Sequence, residues 1–247
     1  MSNPAQRLHK ILTRSKQKDL QHKQMLVGWR AVLSLDDDVD DLIVISKIGK
    51  VFTLPSIITT QIRRFPDIPE ELFLGWRKDL SSAFRGIHFN TSFGEFSTRL
   101  PDSLLTAISF CAHELHRGMP EKDVAREELK AIRESAWALY EEILKSDLPP
   151  NLARYLLDYL YLVIEAIDDF EITGAAGLER SLNAVVGTVA TDTTTAKQAS
   201  ASPFGERFWG VVTKVAVLLK LGKTALELEE GLRKFLHPYR SPARIQR

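Results

Sequence analysis

Through most of the chain, apolar side chains return at steps of three and four residues, the repeat of one face of an α-helix. The clearest case runs from Pro149 to Gly187. There Leu152, Leu156, Tyr159, Leu160, Val163, Ile167 and Phe170 trace one stripe. Pro149 and Pro150 suit its start, because the first helical turn makes no use of their missing N–H groups. Ile172-Thr173-Gly174 interrupts the stripe, and Gly174 suits the left-handed conformation that closes a helix. Leu178, Leu182, Val185 and Val186 open a second stripe. The pattern predicts helix, tight turn and helix on one shared core, with Leu160 and Ile167 facing inward.

The same repeat predicts helix over residues 4–34, with a weak, polar stretch from Arg14 to Gln24 where it breaks or leaves the body. Residues 41–52 are ambiguous. The β-branched run Leu42–Ile45 is compatible with a strand, whereas Val39, Leu42, Ile48, Val51 and Phe52 fit a helix. Helix is preferred, because nothing else in the chain offers a partner strand. Leu54-Pro55-Ser56 reads as a fresh helix start, and Glu70–Phe84, Pro101–Arg117 and Glu121–Lys145 as further helices. Leu72, Leu74 or Trp76, Leu80 and Phe84 are expected inward on the first of these, and Leu104, Ile108, Cys111 and Leu115 on the second. Gly86–Arg99 reads as a loop with Phe93, Phe96 and His88 as plugs. Thr188–Ser202 (TVATDTTTAKQASAS) lacks large apolar side chains after Val189 and reads as a linker. The expected organisation is all-α: a multi-helix body over 1–188, a linker over 189–202, and an apolar helical pair with a basic tail over 203–247.

Composition is that of an ordinary globular protein, 44% hydrophobic and 26% charged, with a net charge of +1. The balance conceals a segregation. Residues 1–30 carry seven Lys/Arg against Asp19 alone, residues 121–180 fourteen acids against seven bases, and the part after Ser181 ten bases against five acids. Basic ends around an acidic middle point to self-complementarity or to an anionic partner, with solvated helix faces as the plain alternative. The single cysteine, Cys111, excludes an internal disulfide and suits a reducing compartment. The first thirty residues are too polar for a signal-peptide core, and no apolar run is read as reaching the roughly twenty residues of a bilayer span. The expected location is the cytoplasm, with room for peripheral membrane contact.

Candidate chemistry is sparse. His113-Glu114-Leu115-His116 places two histidines about 60° apart on a helix, three residues apart where a zinc-protease motif has four. His113 and His116 are therefore weak metal candidates, and an exposed pair near a helix C-terminus is the stronger reading. Asp36, Asp38 and Asp40 alternate like the start of a calcium loop, but Asp41 and Lys47 stand where that loop needs Gly and Glu. Asp168, Asp169 and Glu171 sit where a helix dipole opposes them, so a nearby cation such as Arg154 or Arg180, or a partner's lysine, is expected to offset them. No phosphate-binding loop, dinucleotide fingerprint or nucleophile elbow is present. The basic N-terminal stretch lacks an aromatic stacking pattern, so nucleic acid is not an expected partner, and no cofactor is implied.

The pieces QMLVGWRAVLSL, SFCAHEL and IEAIDDFEITGAAGLERSLNAVVG, in that order over residues 24–187, resemble a scattered group of uncharacterised bacterial helical proteins. No activity is assigned to that group. The resemblance implies an all-helical bacterial protein and transfers no functional residues.

The leading expectation is a non-enzymatic protein that works through macromolecular contact, with a protein partner or a second copy. The alternative is a membrane-active effector of a bacterial defence or toxin–antitoxin system. Both draw on the stretch after Ser202. There Phe204, Phe208, Trp209, Val212, Val215 and Leu219 cover most of a helix, and Lys214 and Lys220 mark its polar strip. Leaving such a face in water would forgo up to about 10–20 kcal/mol. It is expected to lie on the body, on a second copy, on another protein or on a membrane surface.

Overall fold

The computed structural model describes residues 3–121 and 124–219. Its regular elements are helical, and among the described residues the sole β-pairing is an isolated bridge between Gln24 and Ser92. The chain forms two compact units with separate hydrophobic cores. The first holds the described residues up to 121 together with Glu171–Gly174; the second holds Val124–Phe170 and the described residues from Ala175 onward.

In the first unit the order is α1 (Pro4–Ser15), a 3-10 turn (Lys18–Leu20), α2 (Met25–Val32), α3 (Asp41–Ile62), α4 (Glu70–Leu74), α5 (Trp76–Arg85), α6 (Phe93–Ser97) and α7 (Asp102–Gly118). α7 packs on α1, α3, α4 and α5. α1 starts at a capping box: Gln6 N–H donates to Asn3 Oδ1 at 3.0 Å, and Asn3 N–H to Gln6 Oε1 at 3.2 Å. Asn3 is itself buried and donates through Nδ2 to the Ala112 carbonyl at 2.8 Å, tying α1 to α7. The expected inward face of α7 (Leu104, Ile108, Cys111, Leu115) is buried throughout.

The second unit is built from α8 (Arg126–Leu144), α9 (Pro150–Asp168), α11 (Ala175–Thr191), α12 (Thr193–Ala201) and α13 (Gly205–Leu218). Between α9 and α11 lies α10 (Phe170–Thr173), by which the chain enters the first unit and leaves it again. α9 starts at Pro150 and buries Leu152, Leu156, Leu160, Val163 and Ile167. Gly174 has φ +63°, the left-handed geometry the sequence implies. A second constraint acts there. A Cβ on Gly174 would stand 2.2 Å from an Arg7 guanidinium nitrogen and 2.9 Å from a Glu121 carboxylate oxygen. Arg7 is buried and donates to the Ile172 carbonyl at 2.9 Å, to the Thr173 carbonyl at 3.4 Å and to Glu121 at 2.5 and 3.2 Å.

Three expectations fail for physical reasons. Pro55 does not start a helix: α3 runs through it for 22 residues. Proline removes one backbone hydrogen bond, and the buried side chains Val51, Leu54, Ile58 and Ile62 hold the helix together on both sides of it. Read as one helix, Asp41–Ile62 is long and apolar enough to cross a membrane by length and composition, which the reading of two short segments concealed. Its buried stripe faces the core of the first unit.

The linker over 189–202 is also overturned, and with it the division into a body over 1–188 and a separate pair. α11 continues to Thr191, and Asp192 starts α12 by accepting from Thr195 N–H at 3.1 Å. Hydroxyls that suggested a solvated linker bond back to helical carbonyls instead: Thr188 to Ala184 at 2.9 Å and Ser200 to Ala196 at 2.8 Å. Ala196 and Ala199 are fully buried, and α12 packs on α9, α11 and α13. Third, residues 70–85 form two helices that meet at Gly75, leaving Leu72 65% exposed, and residues 93–97 form a helix inside the expected loop. Phe93 and Phe96 do fill the core there, whereas His88 lies outside it.

Gly174→Val should lower unfolding stability by at least about 1 kcal/mol from the left-handed backbone alone, and by more because its side chain displaces Arg7. Urea denaturation of the variant beside wild type measures this. Equal midpoints would show that the turn neither requires a positive φ nor holds Arg7 close.

Candidate functional site

The contact face expected after Ser202 is not a free surface. Phe208, Trp209, Val212, Val215 and Leu219 are all buried, and Phe204 is half-buried against the same cluster. α13 packs on α8, α9, α11 and α12. Arg207 fixes it by a two-pronged pair with Glu142 at 2.5 and 2.8 Å, and Trp209 Nε1 donates to Ser200 Oγ at 2.7 Å. The described part of the apolar arc therefore belongs to the core of the second unit. Lys214 is exposed, as its polar strip requires. Lys220 and the second helix expected over 225–236 lie outside the described residues.

Among the described residues, part of the charge segregation resolves within the molecule. Lys10 pairs with Glu171 at 3.1 Å, Lys16 with Asp102, and Arg7 with Glu121. Arg14 donates to the Val32 carbonyl and Ser34 hydroxyl, both at 3.3 Å. The basic stretch that would follow a phosphate backbone thus has much of its charge engaged. Two of the acids before Gly174 find cations other than those expected. Arg133 binds Asp168 at 2.5 and 3.0 Å and Lys10 takes Glu171, while Arg154 pairs with Asp158 at 3.6 Å.

The other candidates do not converge. His113 and His116 are exposed on α7, and Glu114 between them is held by Arg117, whose hydrogen bond keeps that carboxyl below its ordinary range. Among the described residues, no three His, Cys, Asp or Glu side chains come together to hold a metal. Asp40 caps α3 by accepting from Leu42 N–H at 2.8 Å, and Asp36 and Asp38 are exposed before it. Cys111 is buried and donates to the Phe73 carbonyl at 3.0 Å. Burial pushes its thiol up to about 11, opposite to what a nucleophile needs.

A different surface emerges from the helical hairpin of the second unit. By a helical repeat of about 100° per residue, Arg133, Trp137, Tyr140 and Leu144 share one flank of α8, and Leu157, Tyr161 and Asp168 one flank of α9. The Arg133–Asp168 pair bridges those flanks, so both sets lie along one seam. Trp137 is 41% exposed, Leu144 58% and Tyr161 52%. The rings of Trp137 and Tyr140 stack at 5.5 Å with an interplanar angle of 11°. By the same repeat the acids Glu134 and Glu141 and the base Lys130 stand beside that flank of α8, the acids Asp158 and Glu165 and the base Arg154 beside that of α9, and Lys145 follows the end of α8. The sequence carried this signal in the Trp137–Tyr140–Leu144 spacing, but inward-facing stripes dominate the reading of α8 and Tyr161 falls between two core positions of α9.

No protein-family model, no curated protein and no solved structure matches the chain.

The Cys111 environment makes a direct prediction. At pH 8 the native thiol is neutral, so alkylation by iodoacetamide should be far slower than that of an exposed cysteine, and fast after unfolding in urea. A native rate equal to the unfolded rate would contradict the buried assignment.

Proposed function

We propose that this protein is a non-enzymatic helical protein that acts through protein–protein contact, and that the α8–α9 aromatic seam is its contact surface. The observation that carries the reading is the exposure of Trp137, Tyr161 and Leu144 together on one seam of the second unit. Tryptophan and tyrosine dominate interface energetics, because each supplies a large apolar area with few rotamers to immobilise. The rim argues for a protein rather than a bilayer. Four acids against three bases give no cationic surplus to draw the seam to anionic lipid. Charges of both signs around one apolar patch are what a self-complementary interface uses, since in a two-fold dimer each residue meets the other's counterpart reciprocally. The occupant of the seam is accordingly a second copy of this chain.

Sedimentation velocity of the full chain up to about 100 μM, where an interface of standard size is populated, tests this. The expected result is reversible dimerisation of the 27.9 kDa chain, lost in Trp137→Ser/Tyr161→Ser with an unchanged melting temperature. Wild type that stays monomeric, or a double variant that still dimerises, would overturn the reading.

A further inference from the structure

The first unit holds a groove between α3 and α5 that the contact reading does not use. Its volume is about 390 Å³, and Phe52, Pro55, Leu80 and Phe84 make it apolar. Phe52 is 38% exposed, and its ring lies 4.3 Å from that of Phe84 with a 30° tilt. The aromatic contacts continue inward from Phe84 to Phe96 at 6.1 Å and from Phe96 to Trp29 at 5.1 Å. The groove floor is thus the outer end of an aromatic column set in the core, which fixes its shape in advance of any ligand.

Its polar residues have one character. Arg77 and Arg85 line it from α5, eight residues or about 12 Å apart along the axis. Ser56 and Ser81 add hydroxyls, and no acid is among its lining residues. Glu70, the acid whose carboxyl feels Arg77, has Arg63 as its main partner at 3.0 Å. Arg85 reaches the Ser81 carbonyl of its own helix at 3.4 Å. Both arginines are exposed residues that line the groove.

We propose that this groove binds a small amphiphilic organic anion: a flat aromatic or acyl body carrying a carboxylate, sulfonate or phosphate. The body lies on Phe52 and Phe84, and the anionic group takes the forked donors of Arg77 or Arg85, a geometry guanidinium matches and ammonium does not. The volume is in the lower part of the range for small-molecule sites, which sets the ligand's size. The hydroxyls of Ser56 and Ser81 stand as further donors to the same group.

The test uses full-length protein and two fluorescent probes: anilinonaphthalene sulfonate and the uncharged phenylnaphthylamine, which shares its ring system without the anion. The sulfonate should saturate one site and bind about tenfold or more tightly than the neutral probe, as a charge-assisted hydrogen bond predicts. Arg77→Gln/Arg85→Gln should remove that preference while leaving the melting temperature unchanged. Arg→Lys at the same positions should restore only part of it. Trp137→Ser/Tyr161→Ser should bind the sulfonate like wild type, which separates this site from the aromatic seam. Equal binding of the two probes, or an unchanged affinity in the double glutamine variant, would overturn the proposal. So would displacement of the dye by an acidic peptide but not by small aromatic carboxylates, since that outcome would assign the groove to a protein ligand.

Discussion

A buried guanidinium must have its donors met, because an unpaired charge away from water costs several kcal/mol. Arg7 meets that demand with the carbonyls of Ile172 and Thr173 and with Glu121. The consequences extend along the chain. Two carbonyl acceptors come from a four-residue excursion, Glu171–Gly174, out of a chain that otherwise belongs to the second unit. Ile172 enters the core of the first unit. Gly174 then turns the chain back at positive φ, and its missing side chain is what lets Arg7 approach. Satisfying one arginine thus sets where α9 ends and where α11 begins.

The same economy of charge runs through the molecule. Basic residues near the N-terminus pair with acids that sequence separates from them by a hundred residues or more, as in Arg7–Glu121 and Lys10–Glu171. Arg207 on α13 does the same with Glu142 on α8. Apart from the buried Arg7 pair, these contacts are partly exposed and individually modest. Their effect is to specify which helices lie side by side. Two outward features combine aromatic rings with charge: an aromatic seam with a mixed-charge rim on the second unit, and an arginine-lined aromatic groove on the first.

The helices that a single stripe specifies were legible. α7 and α9 bury most of the positions their periodicity assigns, and Gly174 turns where its flanking pattern says it must. Failures cluster where a local signal competes with distant packing. Pro55 is a start signal in isolation, but buried neighbours on both sides carry α3 past it. Thr188–Ser202 has linker composition, but its hydroxyls bond within the helix and its small alanines allow close packing. The arc around Phe208 is a face that must be covered, and its cover is the core of its own unit. Trp137 and Tyr161 were missed because periodicity finds what is buried, and these residues lie just beside the buried stripes. Whether Arg77 and Arg85 flank one groove depends on how α5 lies against α3, which no pattern within either helix encodes.

Residues 171–174 are part of the first unit although the chain on either side belongs to the second. Residue-resolved amide hydrogen exchange under native conditions measures this most directly, because contiguous cooperative units open with their own free energies. The amides of Glu171–Gly174 should exchange with the protection of α1 and α7. Exchange of those four amides in step with α9 and α11 would contradict it.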